Sequence, residues 1–95
     1  MKISVITVAF NSAKTIADTL NAVAMQTYAD IEHLVIDGAS KDGTFEMVRS
    51  HTNPQIRLIS EPDKGIYDAM NKGLAQATGE VVGFLNSDEI GRAHV

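Results

Sequence analysis

Apolar and polar positions fall in blocks along this chain, and the blocks alternate between two kinds. Residues 2–9 are rich in β-branched side chains and lack strict polar alternation, the pattern of a central strand buried on both faces. Phe10-Asn11-Ser12 breaks that run, and Ser12 is placed to cap a helix whose Ile16, Leu20, Val23 and Ala24 share one face. Residues 27–30 close the helix. A second strand follows at 31–37, with Leu34-Val35-Ile36 at its heart. Residues 37–44 form a turn into a second helix, with Phe45, Met47 and Val48 directed at the core. Asn53-Pro54 ends it, because the residue before proline is pushed out of the α region. A short third strand occupies 56–60 and a loop 61–65. Ile66, Met70, Leu74 and Ala77 then predict the buried side of a third helix, with Gly79 as its left-handed C-cap. The fourth strand starts at once and stops abruptly in Asn86-Ser87-Asp88.

Strands that alternate with helices through short connections predict an α/β fold, a parallel sheet of about four strands alternating with three helices. Ligands of such open sheets bind outside the carboxyl ends of the strands. Two acids stand at such ends. Asp88 could offer a hard oxygen ligand to Mg²⁺ or Mn²⁺, and with it hold a phosphate, or could merely cap a turn. Asp37 could accept hydrogen bonds from a nucleobase or a ribose, or could bond its own loop amides ahead of Gly38. Phe10 has a ring to stack on a base or to pack over the first helix. Lys64, next to Gly65, either approaches a diphosphate or sits in a solvated turn. Tyr67, Met70 and Leu74 read as core. His33 and His51 read as structural, with no partner at metal-ligand spacing.

Composition narrows the choices. With 95 residues, 44% hydrophobic and 21% charged, the chain has the make-up of one small globular unit. A net charge of -4 with only eight Lys and Arg gives no polyanion-binding face, so nucleic acid is not an expected partner. No cysteine is present, which excludes disulfides and thiolate metal sites. The first strand begins at residue 2, leaving no secretory signal or membrane span in these residues. No Gly-x-Gly-x-x-Gly, Walker or Gly-x-Ser-x-Gly motif occurs. Residues 90–95 fit neither a strand continuation nor a cap. One reading frame of a common sequencing-adapter oligonucleotide gives the same six residues, so 90–95 are read as a non-native tail and 1–89 as the domain, with Glu89 a misread acid on that reading.

Four ordered segments carry a resemblance: Val5-Ile6-Thr7-Val8-Ala9-Phe10-Asn11, Val35-Ile36-Asp37-Gly38-Ala39-Ser40-Lys41-Asp42-Gly43-Thr44, Glu61-Pro62-Asp63-Lys64-Gly65 through Gly73, and Gly79-Glu80 through Asp88. Together they resemble the amino-terminal half of the family 2 inverting glycosyltransferases, with bacterial polysaccharide and colanic-acid-type enzymes the most similar. The resemblance implies a Rossmann-like GT-A nucleotide-binding half and a nucleotide-sugar donor, UDP-linked in the first instance. It implies that Val8, Phe10, Asp37, Gly65 and Asn86 bind the nucleotide and that Asp88 is the ligand of Mn²⁺ or Mg²⁺. A glycan or lipid-linked acceptor and a cytoplasmic location follow from it, and it allows attachment of a full-length protein to the cytoplasmic membrane face. The catalytic base is expected beyond Val95, so the fragment alone is expected to be inactive.

Three positions depart from the family pattern. Thr7 replaces a frequent proline, Asn86 replaces the first acid of an Asp-x-Asp-type motif, and Gly38 stands where many members carry a second Asp. Two rival readings remain: a non-catalytic nucleotide-binding module, and a receiver-like domain in which Asp37 and Asp88 bind Mg²⁺. The second would need acids after the first strand, where Phe10-Asn11 stands instead.

Overall fold

The computed structural model describes residues 1–26, 30–86 and 93–94. Its elements in chain order are β1 (Ile3–Ala9), α1 (Ile16–Ala24), β2 (Ile31–Asp37), α2 (Thr44–Arg49), β3 (Ile56–Ser60), α3 (Ile66–Gln76), β4 (Val81–Asn86) and β5 (Ala93–His94). They form one sheet ordered β3-β2-β1-β4-β5. The first four strands are mutually parallel, and three helices connect them, as the hydrophobic blocks predict. The fifth is an addition. Ala93 and His94 pair antiparallel with Leu85 and Phe84, a strand not expected within 90–95. The outer side of β4 otherwise presents an open row of N–H and C=O groups, to which a short extended segment can bond whatever its sequence.

All seven residues of β2 are buried, as a strand covered on both faces must be. On one face Val35 packs with Ala9, Ile16, Leu20 and Val48 beneath α1 and α2. On the other, Leu34 and Ile36 pack with Ile6 and Ala69 beneath α3. A smaller cluster joins Val23, near the carboxyl end of α1, to Ile31 and Leu85.

Helix details differ from the sequence pattern in instructive ways. In α1, Thr19 is buried with Ile16, Leu20 and Val23, and Ala24 is exposed. Ser12 starts the turn with its backbone, its carbonyl accepting the N–H groups of Thr15 and Ile16, and α1 has no side-chain cap. In α3 the predicted face is rotated: Ala69 and Gly73 are buried, whereas Ile66, Tyr67 and Leu74 are exposed. A Cβ on Gly73 would lie 2.6 Å from Ile6 Cγ2, so α3 rests on the sheet through its small residues. Large apolar residues on that face would hold the helix off. Gly79 has no left-handed φ; its lack of a Cβ lets the chain pass beside Ser4. Phe45 is half-buried.

Two buried polar clusters tie the sheet's amino-terminal half together. Glu32 accepts hydrogen bonds from Ser4 Oγ, Thr78 N and Oγ1, and Arg57 Nη1. Burial alone would raise its carboxyl, but the Thr78 amide, the Ser4 hydroxyl and the Arg57 guanidinium outweigh it and hold the pKa at about 2. His33 shares a 2.7 Å hydrogen bond between Nε2 and Thr7 Oγ1, and its buried Nδ1 has no protein partner among the described residues. Burial, with a smaller repulsion from His51, pushes it down to about 4.

Both shifts make stability pH-dependent. A histidine whose folded pKa lies below its ordinary 6.5 contributes stability above that value and loses it as pH falls through about 4. For a shift of that size the loss is about 3 kcal/mol. Glu32 contributes above 4.5 and loses its share as pH falls through about 2. Urea midpoints are therefore expected to fall between pH 6.5 and 4. His33→Gln should remove that slope and leave the steeper fall below 4.5 in place. An unchanged slope in the variant would mean that His33 does not set it.

Candidate functional site

The carboxyl ends of the parallel strands meet at one rim. Ala9 stands opposite Asp37, Asp37 opposite Ser60, and Val8 opposite Asn86. Above the rim opens a cleft of about 850 Å³, a size suited to a small molecule. Phe10, Asn11, Ser12 and Lys14 reach it from the β1–α1 connection, Gly38 and Asp42 from β2–α2, and Pro62, Asp63, Gly65 and Ile66 from β3–α3. Val8 forms part of its floor.

Hydrogen bonds between loops fix these walls. Asp37 is fully buried: Oδ1 accepts the Ser40 hydroxyl, and Oδ2 accepts the Ser40 N–H at 3.2 Å and the Ser60 hydroxyl at 2.7 Å. It therefore joins the β2–α2 loop to the end of β3. Asp42 accepts the Ala13 N–H at 3.0 Å on one oxygen and the Thr44 N–H and hydroxyl on the other. The Thr44 hydroxyl and the Ala13 amide lower its pKa. Asn11 has a positive φ of 48°. Its N–H donates to Ser40 Oγ at 2.8 Å, and its Oδ1 accepts the Lys41 N–H at 3.0 Å. Ser12 N donates to Thr44 Oγ1 at 2.8 Å. The Asp-Gly-Ala-Ser-Lys-Asp-Gly-Thr run thus works as a clasp that holds the β1–α1 loop, with Phe10 left 62% exposed over the cleft.

The third wall has its own fastening. Lys72 Nζ, on α3, donates to Pro62 O at 2.8 Å and pairs with Glu61 at 3.1 Å and Asp68 at 3.5 Å. Burial opposes the Lys72 charge, but the bond to Glu61 and the charge of Asp68 outweigh it and raise the pKa. Asp68 accepts the Lys64 N–H at 2.9 Å, and Asp63 Oδ1 accepts the Gly65 N–H at 3.1 Å. Gly65 carries a φ of 120°, open to glycine and strained for other residues. Lys64 is exposed, as in a solvated turn.

Of the residues singled out from sequence, Val8, Phe10 and Gly65 line the cleft together. Asp37 is not among the residues that line it: its carboxylate is buried and bonded to Ser40 and Ser60. Asn86 is placed at the rim by its backbone pairing with Val8. Asp88, with Ser87 and Glu89, lies outside the described residues. Among the described residues, no three His, Asp or Glu side chains stand together as a metal cage. The sequence reading passed over Asp42, Asp63, Asn11 and Lys14. Asp63 follows the end of β3 at the same rim as Asp37, so the strand-end rule applied to all four parallel strands would have found it.

Comparison with known proteins adds the lineage. The family model "Glycosyl transferase family 2" matches residues 4–91. The chain is 40% identical over 92 residues to the glycosyltransferase AglE of Haloferax volcanii, covering 90% of this chain and 30% of that protein. It is 37% identical over 89 residues to WfgD of Escherichia coli, a UDP-Glc:α-D-GlcNAc-diphosphoundecaprenol β-1,3-glucosyltransferase, covering 93% and 35%. Among solved structures it superposes on the mannosyltransferase PcManGT of Pyrobaculum calidifontis, in complex with GDP-Man and Mn²⁺, with a TM-score of 0.85 at 34% identity, covering 92% and 27%. TarS 1-349 of S. aureus, in complex with UDP-GlcNAc, gives 0.85 at 34% identity, covering 93% and 27%. The chain spans a third or less of most of the relatives it matches. With its four parallel strands, three intervening helices and a matched stretch from residue 4 to 91, the chain belongs to glycosyl transferase family 2.

Proposed function

We propose that this chain is the nucleotide-sugar-binding part of a metal-dependent inverting glycosyltransferase that takes its sugar from a UDP-linked donor and gives it to a glycan or lipid-linked acceptor. The observation that carries the reading is the cleft at the strand ends, where an exposed aromatic ring, a glycine-lined wall and a carboxylate face one space. Each part has a use for a nucleotide. Phe10 offers a ring for the base to stack on, and Gly65 lets the backbone approach a ligand closely. Val8 supplies an apolar floor, and Asn86 extends the rim beside it. Asp37 has a positioning role, setting the loop from which Gly38 meets the ligand.

An oxygen-donor ion suits this chain in kind, because it has no cysteine and its rim is built from carboxylates and amides. Such an ion takes one or two protein carboxylates and completes its shell with phosphate oxygens and water, so the lack of a three-residue cage among the described residues fits it. Asp88 is the proposed protein ligand. When bound, the ion would screen the donor diphosphate and the charge that gathers there as the glycosidic bond breaks. The acceptor hydroxyl must lose its proton to a base as it attacks the anomeric carbon from the opposite side. That base is proposed to lie in the part of the relatives that this chain does not span.

Titration calorimetry of UDP with and without Mn²⁺ tests the assignment. Mn²⁺ is expected to tighten UDP binding about tenfold or more, and Asp88→Ala to erase that difference while the metal-free affinity stays unchanged. Equal affinity with and without Mn²⁺ in both proteins would contradict the role of Asp88. No sugar transfer is expected from the 95 residues alone, and turnover in a UDP-sugar assay would overturn that part.

A further inference from the structure

Gly38 and Asp63 occupy the same small volume. A Cβ built on Gly38 would lie 2.6 Å from Asp63 Oδ2 and 3.3 Å from Phe10 Cδ1. The space beside Gly38 is thus already filled by a carboxylate that arrives from the β3–α3 loop, next to the ring of Phe10. Its other oxygen, Oδ1, is held by the Gly65 N–H. Oδ2 has no hydrogen bond in the protein among the described residues, and all three residues line the cleft.

From this geometry we infer that Asp63 selects the nucleobase, and that Gly38 is a glycine because a side chain there would expel the Asp63 carboxylate. The inference rests on the cleft being the nucleotide site. A base stacked on Phe10 turns its edge toward the carboxylate, which accepts hydrogen bonds and donates none. Uracil and guanine carry a ring N–H on that edge. Cytosine and adenine carry a ring nitrogen lone pair, which a carboxylate repels. The acid therefore favours uridine and guanosine diphosphates over cytidine and adenosine diphosphates. Three features hold Oδ2 in position: the Gly65 N–H on its sister oxygen, Lys72 bonded to Pro62 O, and the open α-carbon of Gly38.

Affinities of UDP, GDP, CDP and ADP for four forms of the 95-residue chain test this: wild type, Asp63→Asn, Gly38→Asp, and the exchanged pair Gly38→Asp with Asp63→Gly. The wild type is expected to favour UDP over CDP by about tenfold or more, and Asp63→Asn to remove most of that ratio, because the amide can donate as well as accept. Gly38→Asp alone should weaken UDP binding and lower the melting temperature, since two carboxylates contend for one space. The exchanged pair should recover both, because it returns a single acid to the same place. A UDP:CDP ratio unchanged in Asp63→Asn, beside retained UDP binding, would overturn the inference and leave the nucleotide site standing. Absence of binding by any nucleotide to the wild type would overturn the functional reading itself. In that event a Gly38→Asp melting loss that the second change does not relieve would also refute the shared volume.

Discussion

Gly73→Leu is expected to destabilise the fold by about 3 kcal/mol, the largest effect of any single change considered, although it exchanges the poorer helix former for a better one. Gly73 sits in the middle of α3 on the face pressed against the sheet. A Cβ there would lie 2.6 Å from Ile6 Cγ2, 3.1 Å from its Cδ1 and 3.3 Å from its Cγ1. Ile6 is fully buried in the cluster with Leu34, Ile36 and Ala69, and a β-branched side chain in a close-packed core gives way only at a cost. Helix propensity would return only about 1 kcal/mol of the cost. The remaining strain must lift α3, and the lift would reach the cleft, because Gly65 and Ile66 begin that helix. Urea denaturation should show the loss. Pairing Gly73→Ala with Ile6→Ala should show favourable coupling, the second change costing less than it does alone. Additive costs would mean that the two residues do not compete for space.

Phe10→Ala is expected to weaken UDP binding about tenfold to a hundredfold while leaving the urea midpoint nearly unchanged. The ring is 62% exposed, so the fold draws little from it. Stacking a base on it removes apolar surface from water on both partners, worth about 1–3 kcal/mol per base. Phe10→Tyr should preserve binding, since the stacking face remains. Equal affinity of the wild type and Phe10→Ala for UDP would place the base elsewhere in the cleft.

The fold was readable in the sequence wherever one periodicity dominated. Residues 31–37 read as a strand with Leu34-Val35-Ile36 at its heart, and β2 spans Ile31–Asp37 with every residue buried. The third strand, Ile56–Ser60, also matches its expected range. The reading failed where packing depended on small residues. In α3, Met70 and Leu74 repeat at helical spacing and invite assignment to the core, yet Leu74 is 47% exposed and the contact runs through Ala69 and Gly73. Hydrophobicity does not register a helix that sits close because its side chains are absent.

The site divides along similar lines. Phe10 and Gly65 drew notice from their places after a strand and before a helix, Val8 only through the family resemblance, and the three share the cleft. Asp37 had two readings at the sequence level, and the loop-building one is what its hydrogen bonds show. No pattern distinguishes an acid that binds a ligand from one that fastens a turn, because both stand at strand ends and both accept N–H groups. The place of Asp63 after a strand end was open to the same rule, but its proximity to Gly38 was not: it joins residues 25 positions apart, which the parallel pairing of β2 with β3 brings together.

The central claim is that a nucleotide occupies the cleft bounded by Phe10, Gly38 and Gly65 at the carboxyl rim of the sheet. Backbone amide resonances followed by two-dimensional NMR during titration with UDP and Mg²⁺ test it most directly. Shifts are expected at Phe10, Asn11, Gly38, Asp63 and Gly65, with little change at Arg57, Gln76 and Thr78 at the opposite end of the sheet. Shifts centred on the groove between β3 and α3 near Arg57 and Gln76, or none at Phe10 and Gly65 at saturating UDP, would contradict the account.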